Sequence, residues 1–287
     1  MFNLQLTNAV ENFAQLIFPL TEKELERKWV WKDHDEEGIR FACFVTLQEL
    51  RHLAVTLATP SAALRTHPTP AQHILSQYHA AYMDLQAAVL GLSNEDAEKI
   101  PAEGEWQVRK VYAHILGAEI NFTIAIRYAL EKHRSRNWTP ERISDEDDSR
   151  LAGMSEAEYL ALINSPLSSM LAYHHNLHAT ILDEFSSITN AELDLPSTFW
   201  EETRFPIQHR LHRYEAHFIQ HTIQIDKTLV AIGQAPTESQ RLIRKIYAAL
   251  AEAEGQMLGT EKIDNTVILA TASSIQERTK EIEKILK

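Results

Sequence analysis

Apolar side chains recur every three or four positions along most of the chain, which is the period of a helix with one buried face. The pattern predicts a first pair of helices over 4–19 and 39–58, then four longer stretches over 71–91, 106–134, 155–187 and 206–233. Two further helices are predicted over 237–254 and 265–286. The pattern therefore predicts an all-α fold with a four-helix bundle in its middle.

Breaks in this pattern predict how the chain is divided. The segment from Thr59 to Pro70 contains three prolines in a short polar run, which is typical of a linker. We predict an N-terminal helical pair over 1–65, a four-helix bundle over 70–235, and a C-terminal helical pair over 237–287 that packs with 1–65. Because neither pair is large enough to fold alone, together they would form a second bundle without metal.

The longest break inside the bundle region is a polar stretch over 137–153, between the second and third long helices. It contains the acidic run Ser144–Asp148, which we interpret as an exposed loop. A connection of this length favours a crossover between distant helices over a tight hairpin.

Charge and cysteine content narrow the function classes. The chain has 28 basic and 40 acidic residues, for a formal net charge of -12, and it has no basic run. This balance argues against nucleic-acid binding, which needs clustered Lys and Arg. Cys43 is the single cysteine and lies in the apolar run Phe41–Val45, so a buried, inert thiol is favoured over a reactive one.

The ends and the apolar runs give no sign of a membrane or secretion signal. The first residues lack a cationic stretch followed by an apolar core, and no apolar run has the length of a membrane span. We therefore expect a cytoplasmic protein with no membrane partner. A homodimer remains an open alternative.

Candidate chemistry is concentrated in histidines. His217 and His221 are four residues apart, so both imidazoles project from one face of the fourth long helix and can reach one ion, although surface pairs with this spacing are also common. His114 lies in an apolar part of the second long helix, with Gly117, Ala118 and Asn121 further along its face. From the residues alone, His114 is either a ligand in a space left by small neighbours or a core histidine bonded to a backbone carbonyl.

Two motifs together resemble the DinB superfamily. The first is Trp–x–Val–Arg–x–Val–x–x–His, formed by Trp106, Val108, Arg109, Val111 and His114, and the second is His–x–x–x–His–x–x–Gln–Ile, formed by His217, His221, Gln224 and Ile225. The resemblance covers roughly residues 70–235. It departs from the family's usual His–Arg–Gly–Gln form, because Thr222 and Ile223 replace Arg and Gly.

The resemblance implies a four-helix bundle with a long crossover between its second and third helices. It implies a divalent metal, zinc or nickel, held by His114, His217 and His221 with positions left open for water. Pocket candidates beside this metal are Asn121, Tyr214 and Gln224. The implied activity is that of a thiol-dependent transferase or isomerase, which acts with a small-molecule thiol, and metal-dependent hydrolysis is also chemically possible. The alternative is a non-enzymatic metal-binding, stress-response or scaffold module.

The remaining histidines are interpreted differently. His174, His175 and His178 on the third long helix, and His209 and His212 on the fourth, are expected on polar or partly exposed faces. His175 or His178 is also a candidate to form a hydrogen bond that orients a ligand histidine, as are the carboxylates of Glu119 and Glu215.

Overall fold

The computed structural model describes residues 3–33, 37–59, 68–201, 203–259 and 265–287. Helices make up nearly all the regular structure in these ranges. In chain order these helices are α1 Leu4–Ile17, α2 Glu22–Leu25, α3 Ile39–Ala58, α4 Pro70–Val89, α5 Asn94–Ala97, α6 Val108–Arg134, α7 Asp145–Ala152, α8 Glu156–Ile163, α9 Leu167–Phe185, α10 Asn190–Leu193, α11 Ile207–Ala231, α12 Glu238–Gly255 and α13 Asn265–Leu286. Two short antiparallel strands, β1 Pro196–Ser197 and β2 Phe205–Pro206, precede α11. The all-α prediction is confirmed. Most of the predicted linker from Thr59 to Pro70 lies outside the described residues.

Two expectations about the crossover region were wrong. The predicted helix over 155–187 is divided into α8 and α9, because Pro166 has no backbone N–H to continue a helix and disfavours helical geometry in the residue before it. The acidic stretch contains helix α7 where a loop was expected. Ser144 caps that helix by accepting a hydrogen bond from the Asp147 backbone N–H, and Gly153 ends it with a φ of 70°.

The chain forms two compact units. One comprises Met1–Pro68, Met83–Gly91 and Ala235–Lys287, and the other comprises Thr69–Tyr82 and Leu92–Gln234. Helix α4 contributes its N-terminal part to the second unit and its C-terminal part to the first. None of the helices in the described ranges is long and apolar enough to cross a membrane.

In the first unit, α1 packs along α13 and α3 packs along α12. Their buried faces include Phe13, Ile17 and Leu50, all fully excluded from solvent. A buried arginine, Arg278, donates to the Thr46 hydroxyl at 2.8 Å and pairs with Glu49 at 2.9 Å. Because buried cations need such partners, this contact ties α13 to α3.

The second unit is built on the long helices α4, α6, α9 and α11. Helices α6 and α11 pack along each other, while the short helices α7 and α8 lie against α6. Its centre is rich in tyrosine and phenylalanine: Tyr78 of α4, Tyr112 of α6, and Tyr214 and Phe218 of α11 are buried. The packing of α6 against α11 positions the candidate site described next.

Candidate metal centre

Three histidines from two helices converge in the second unit. Each of His114 on α6 and His217 and His221 on α11 offers one ring nitrogen, and these nitrogens all lie within 4.8 Å of one another. The Nε2 atoms of His114 and His217 are 3.1 Å apart. In the described part of the chain, no other group of three His, Cys, Asp or Glu side chains converges in this way.

Helix geometry brings His217 and His221 together, and the packing of α6 against α11 brings His114 to them. His217 and His221 are one turn apart on α11, and both are buried, with 6% and 8% of their surface exposed. His114 reaches them because α6 runs along α11. His114 was expected to be buried, but it is exposed, and the Trp106 ring meets it edge-on at 5.5 Å. The buried face of α6 instead carries residues such as Tyr112 and Leu116.

The electrostatics of the cluster favour neutral imidazoles. Burial lowers the pKa of His217 to about 3, with further lowering from His221 and His114. Burial also lowers the pKa of His114, and His221 adds to the effect. Since only a neutral imidazole has a lone pair for a metal, these two side chains are in the binding form at neutral pH.

The spacing of one pair of nitrogens fits a shared metal ion. Two imidazole nitrogens bound to one zinc-like ion at the usual bond length lie roughly 2.8 to 3.4 Å apart. The 3.1 Å between His114 Nε2 and His217 Nε2 falls within that range. All three donors are imidazoles, which suit zinc, nickel, copper and iron and do not suit magnesium or calcium.

Gln224 fixes the orientation of one candidate ligand. Its Oε1 atom lies 2.8 Å from His221 Nδ1, and an amide oxygen can only accept a hydrogen bond. The proton of His221 is therefore on Nδ1, which leaves Nε2 free to bind an ion. His217 has no such support, because its buried Nδ1 has no hydrogen-bond partner within the described ranges; the Phe122 ring packs against it at 5.9 Å.

The other two pocket candidates make different contacts. Tyr214 is fully buried, with its hydroxyl 2.8 Å from Thr123 Oγ1 and its ring against Tyr78, so it belongs to the core. Asn121 lines a cavity of about 350 Å³ beside α7 and α8. Of the three candidates, Gln224 alone is bonded to a histidine of the cluster.

The expectation for His174 and His178 was wrong. They are 0% and 4% exposed and belong to what we call the buried polar network, together with Tyr78, His79, Tyr112 and Glu119. His174 Nε2 lies 2.5 Å from a Glu119 carboxylate oxygen, and its Nδ1 is 2.6 Å from the Tyr112 hydroxyl. Tyr78 donates to the other Glu119 oxygen, and His79 Nδ1 is 2.9 Å from His178 Nε2. Glu119 therefore supports His174, and not a histidine of the cluster.

A sequence signal for this burial exists. His174 and His178 lie in register with Met170, Ile181 and Phe185, which form the buried stripe of α9. The positions of His174 and His178 on the apolar face of α9 indicate burial, whereas we predicted exposure because histidine is polar. His175, His209 and His212 are exposed or half-buried, as expected.

Comparison with known proteins agrees with these features. The model of the DinB superfamily matches residues 77–225, just over half of the chain, and this range contains all three clustered histidines. No curated protein and no solved structure gives a significant match. From the helical architecture and the matched range, this chain belongs to the DinB superfamily.

Proposed function

We propose that the chain binds a divalent metal ion, zinc or nickel, on His114, His217 and His221. The observation that carries this proposal is the convergence of three imidazole nitrogens within 4.8 Å. Burial supports it, because it keeps His217 neutral, and so does the bond from Gln224, which fixes the free nitrogen of His221.

Exposure of His114 favours a reactive centre over a purely structural one. Structural zinc sites are closed by four protein ligands, whereas catalytic sites keep a position for water or substrate. Here three protein donors converge, and one of them lies at the surface of the unit. We therefore favour an enzyme, and a non-enzymatic metal-binding or scaffold module is the alternative.

The proposed reaction is transfer to a small-molecule thiol. A bound metal would lower the pKa of a thiol that reaches an open position, and so supply a thiolate at neutral pH. The chain itself does not supply this group, because Cys43 is buried and burial raises its pKa to about 12. In this scheme the three histidines hold the ion and Gln224 keeps His221 in the tautomer that binds it. Metal-dependent hydrolysis would use the same open position.

Elemental analysis of purified protein tests the metal site. The wild type should contain one bound divalent ion, and His114→Ala, His217→Ala and His221→Ala should each lose most of it. His175→Ala is the matched control, since His175 is an exposed histidine on α9. Unchanged metal content in all three cluster variants would refute the assignment.

A thiol-conjugation screen with electrophilic substrates tests the reaction class. Activity should disappear when the metal is removed with a chelator and return when zinc or nickel is added back. Activity that persists in the fully metal-free protein would reject the metal-dependent transferase. A metal-loaded protein that shows no conjugation activity would favour the non-enzymatic alternative.

A further inference from the structure

A cavity of about 350 Å³ lies among α6, α7 and α8, within the second unit. Its volume is in the range of pockets that hold small organic ligands. Apolar side chains form part of its wall, among them Ile120 and Ile124 of α6 and Leu160 of α8. Such walls suit a hydrocarbon portion of a ligand.

A glycine admits a polar group to this cavity. A Cβ atom added at Gly117 of α6 would lie 2.6 Å from the Tyr159 hydroxyl, so only glycine leaves space for that side chain as it stands. The Tyr159 hydroxyl forms a side-chain hydrogen bond with Asn121, and both residues line the cavity. Burial and the charge of Asp148 raise the pKa of Tyr159, which keeps the hydroxyl protonated. A protonated hydroxyl and an amide are therefore held side by side in the wall of the cavity.

The charged residues that line the cavity are all acidic. Asp145, Asp148 and Glu156 line the cavity, and no Lys, Arg or His does. These three carboxylates form no ion pair within the described ranges, whereas their neighbour Asp147 on α7 pairs with Arg150 at 2.7 Å. Burial raises the pKa of Asp148, and the charge of Asp145 raises it further. All three carboxylates are at exposed positions.

We propose that this cavity binds a small organic cation, such as a primary amine carried on a short hydrocarbon chain. The ammonium group would lie beside Asp145 and Asp148, and the chain would pack against Ile120, Ile124 and Leu160. This inference rests on the cavity and not on the proposed metal chemistry. The two sites share α6, since Gly117 follows His114 by three residues, or about 4.5 Å along the helix axis.

Isothermal titration calorimetry with pentylamine, pentanol and pentanoate tests the proposal. These probes share a chain length and differ in charge. Pentylamine should bind the wild type, and pentanol and pentanoate should bind at least about threefold more weakly, because a cation beside two exposed carboxylates gains an attraction that the others lack. Equal binding of pentanol, or no binding of pentylamine, would overturn the proposal.

Matched variants test whether binding depends on the carboxylates of the cavity or only on the overall charge of the protein. Asp145→Asn with Asp148→Asn removes charge and keeps volume at two exposed positions, and it should weaken pentylamine binding about threefold or more. Asp147→Asn removes one negative charge from the same helix outside the cavity lining and should bind pentylamine as the wild type does. An equal loss in Asp147→Asn would show that only overall charge matters and would overturn the assignment.

Two further variants distinguish pentylamine binding in the cavity from metal binding by the histidine cluster. Gly117→Ala, verified as folded by circular dichroism, should weaken pentylamine binding because the added methyl displaces Tyr159. His217→Ala should lose bound metal and still bind pentylamine, so failure of the metal proposal leaves the cation proposal intact. Loss of pentylamine binding in His217→Ala would contradict an independent cavity.

Discussion

Removing the Glu119 carboxylate is the sharpest test of what holds the second unit together. Glu119 and His174 are both 0% exposed and lie 2.5 Å apart, and Tyr78 donates to the second oxygen of Glu119. Glu119→Ala leaves the buried Tyr78 hydroxyl without its acceptor, which costs about 1–3 kcal/mol for a buried polar group. We expect Glu119→Ala to lower the free energy of unfolding by this amount.

Urea unfolding followed by far-UV circular dichroism measures the loss, and the near-UV signal of the tyrosines reports on the network directly. Glu131→Ala is the control on the same helix, because Glu131 forms an exposed ion pair with Arg150 that should contribute only about 0–1 kcal/mol. Glu119→Gln keeps the volume and an acceptor for Tyr78, so it should lose less than Glu119→Ala and remains measurable if the alanine variant does not fold. A Glu119→Ala loss no larger than that of Glu131→Ala would refute the reasoning.

Three other outcomes are expected. Cys43 should not react with a thiol reagent at neutral pH in the native protein, since burial raises its pKa to about 12, and it should react once the protein is unfolded; labelling in the native state would contradict its burial. Gln224→Leu should weaken zinc binding about 10–100-fold, because His221 loses the acceptor that fixes its tautomer, and competition with a chromophoric chelator measures this; unchanged affinity would remove Gln224 from the site. The hydrogen bond from Arg134 is the main cause that lowers the pKa of Glu192 from 4.5 to about 2, so the stability it gives is complete above pH 4.5 and is lost as the pH falls toward 2. Chemical unfolding at several pH values should therefore show Glu192→Gln less stable than the wild type at neutral pH and equal to it near pH 2; a gap independent of pH would contradict this linkage.

Much of the helical framework could be predicted from the sequence. Seven of the eight predicted helices begin and end within two residues of the observed ones, because long apolar stripes with helical spacing leave few alternatives. The exception is the predicted helix over 155–187, which is divided at Pro166. Apolar residues with helical spacing continue on both sides of Pro166, so the pattern did not indicate the break in the backbone. Helix α7 was missed because its residues are acidic, although acidic residues stabilise the first turn of a helix.

The candidate site was predictable only in part. The common face of His217 and His221 follows from helix geometry, and it needs no knowledge of the fold. The position of His114 near His217 and His221 depends on which helix packs against α11. The apolar pattern of the sequence does not contain that information, and the family motif supplied it. The apolar stripe of α9 indicates burial of His174, but its partners Glu119 and Tyr112 could not be predicted, because they come from α6, far away in sequence.

The shared helix α4 limits how this protein can be recombined with others. Residues 70–82 belong to the unit with the histidine cluster, and the same helix continues into the other unit from Met83 onward. A cassette cut at 70 and 235 would carry Leu85 and Val89, which are 0% and 3% exposed in the full chain, without the residues of their own unit. It would also separate Asp84 from Arg244, which lie 2.5 Å apart. Transplanting the bundle into another protein would therefore require polar replacements along the last two turns of α4, and no single pair of cut points would avoid that redesign.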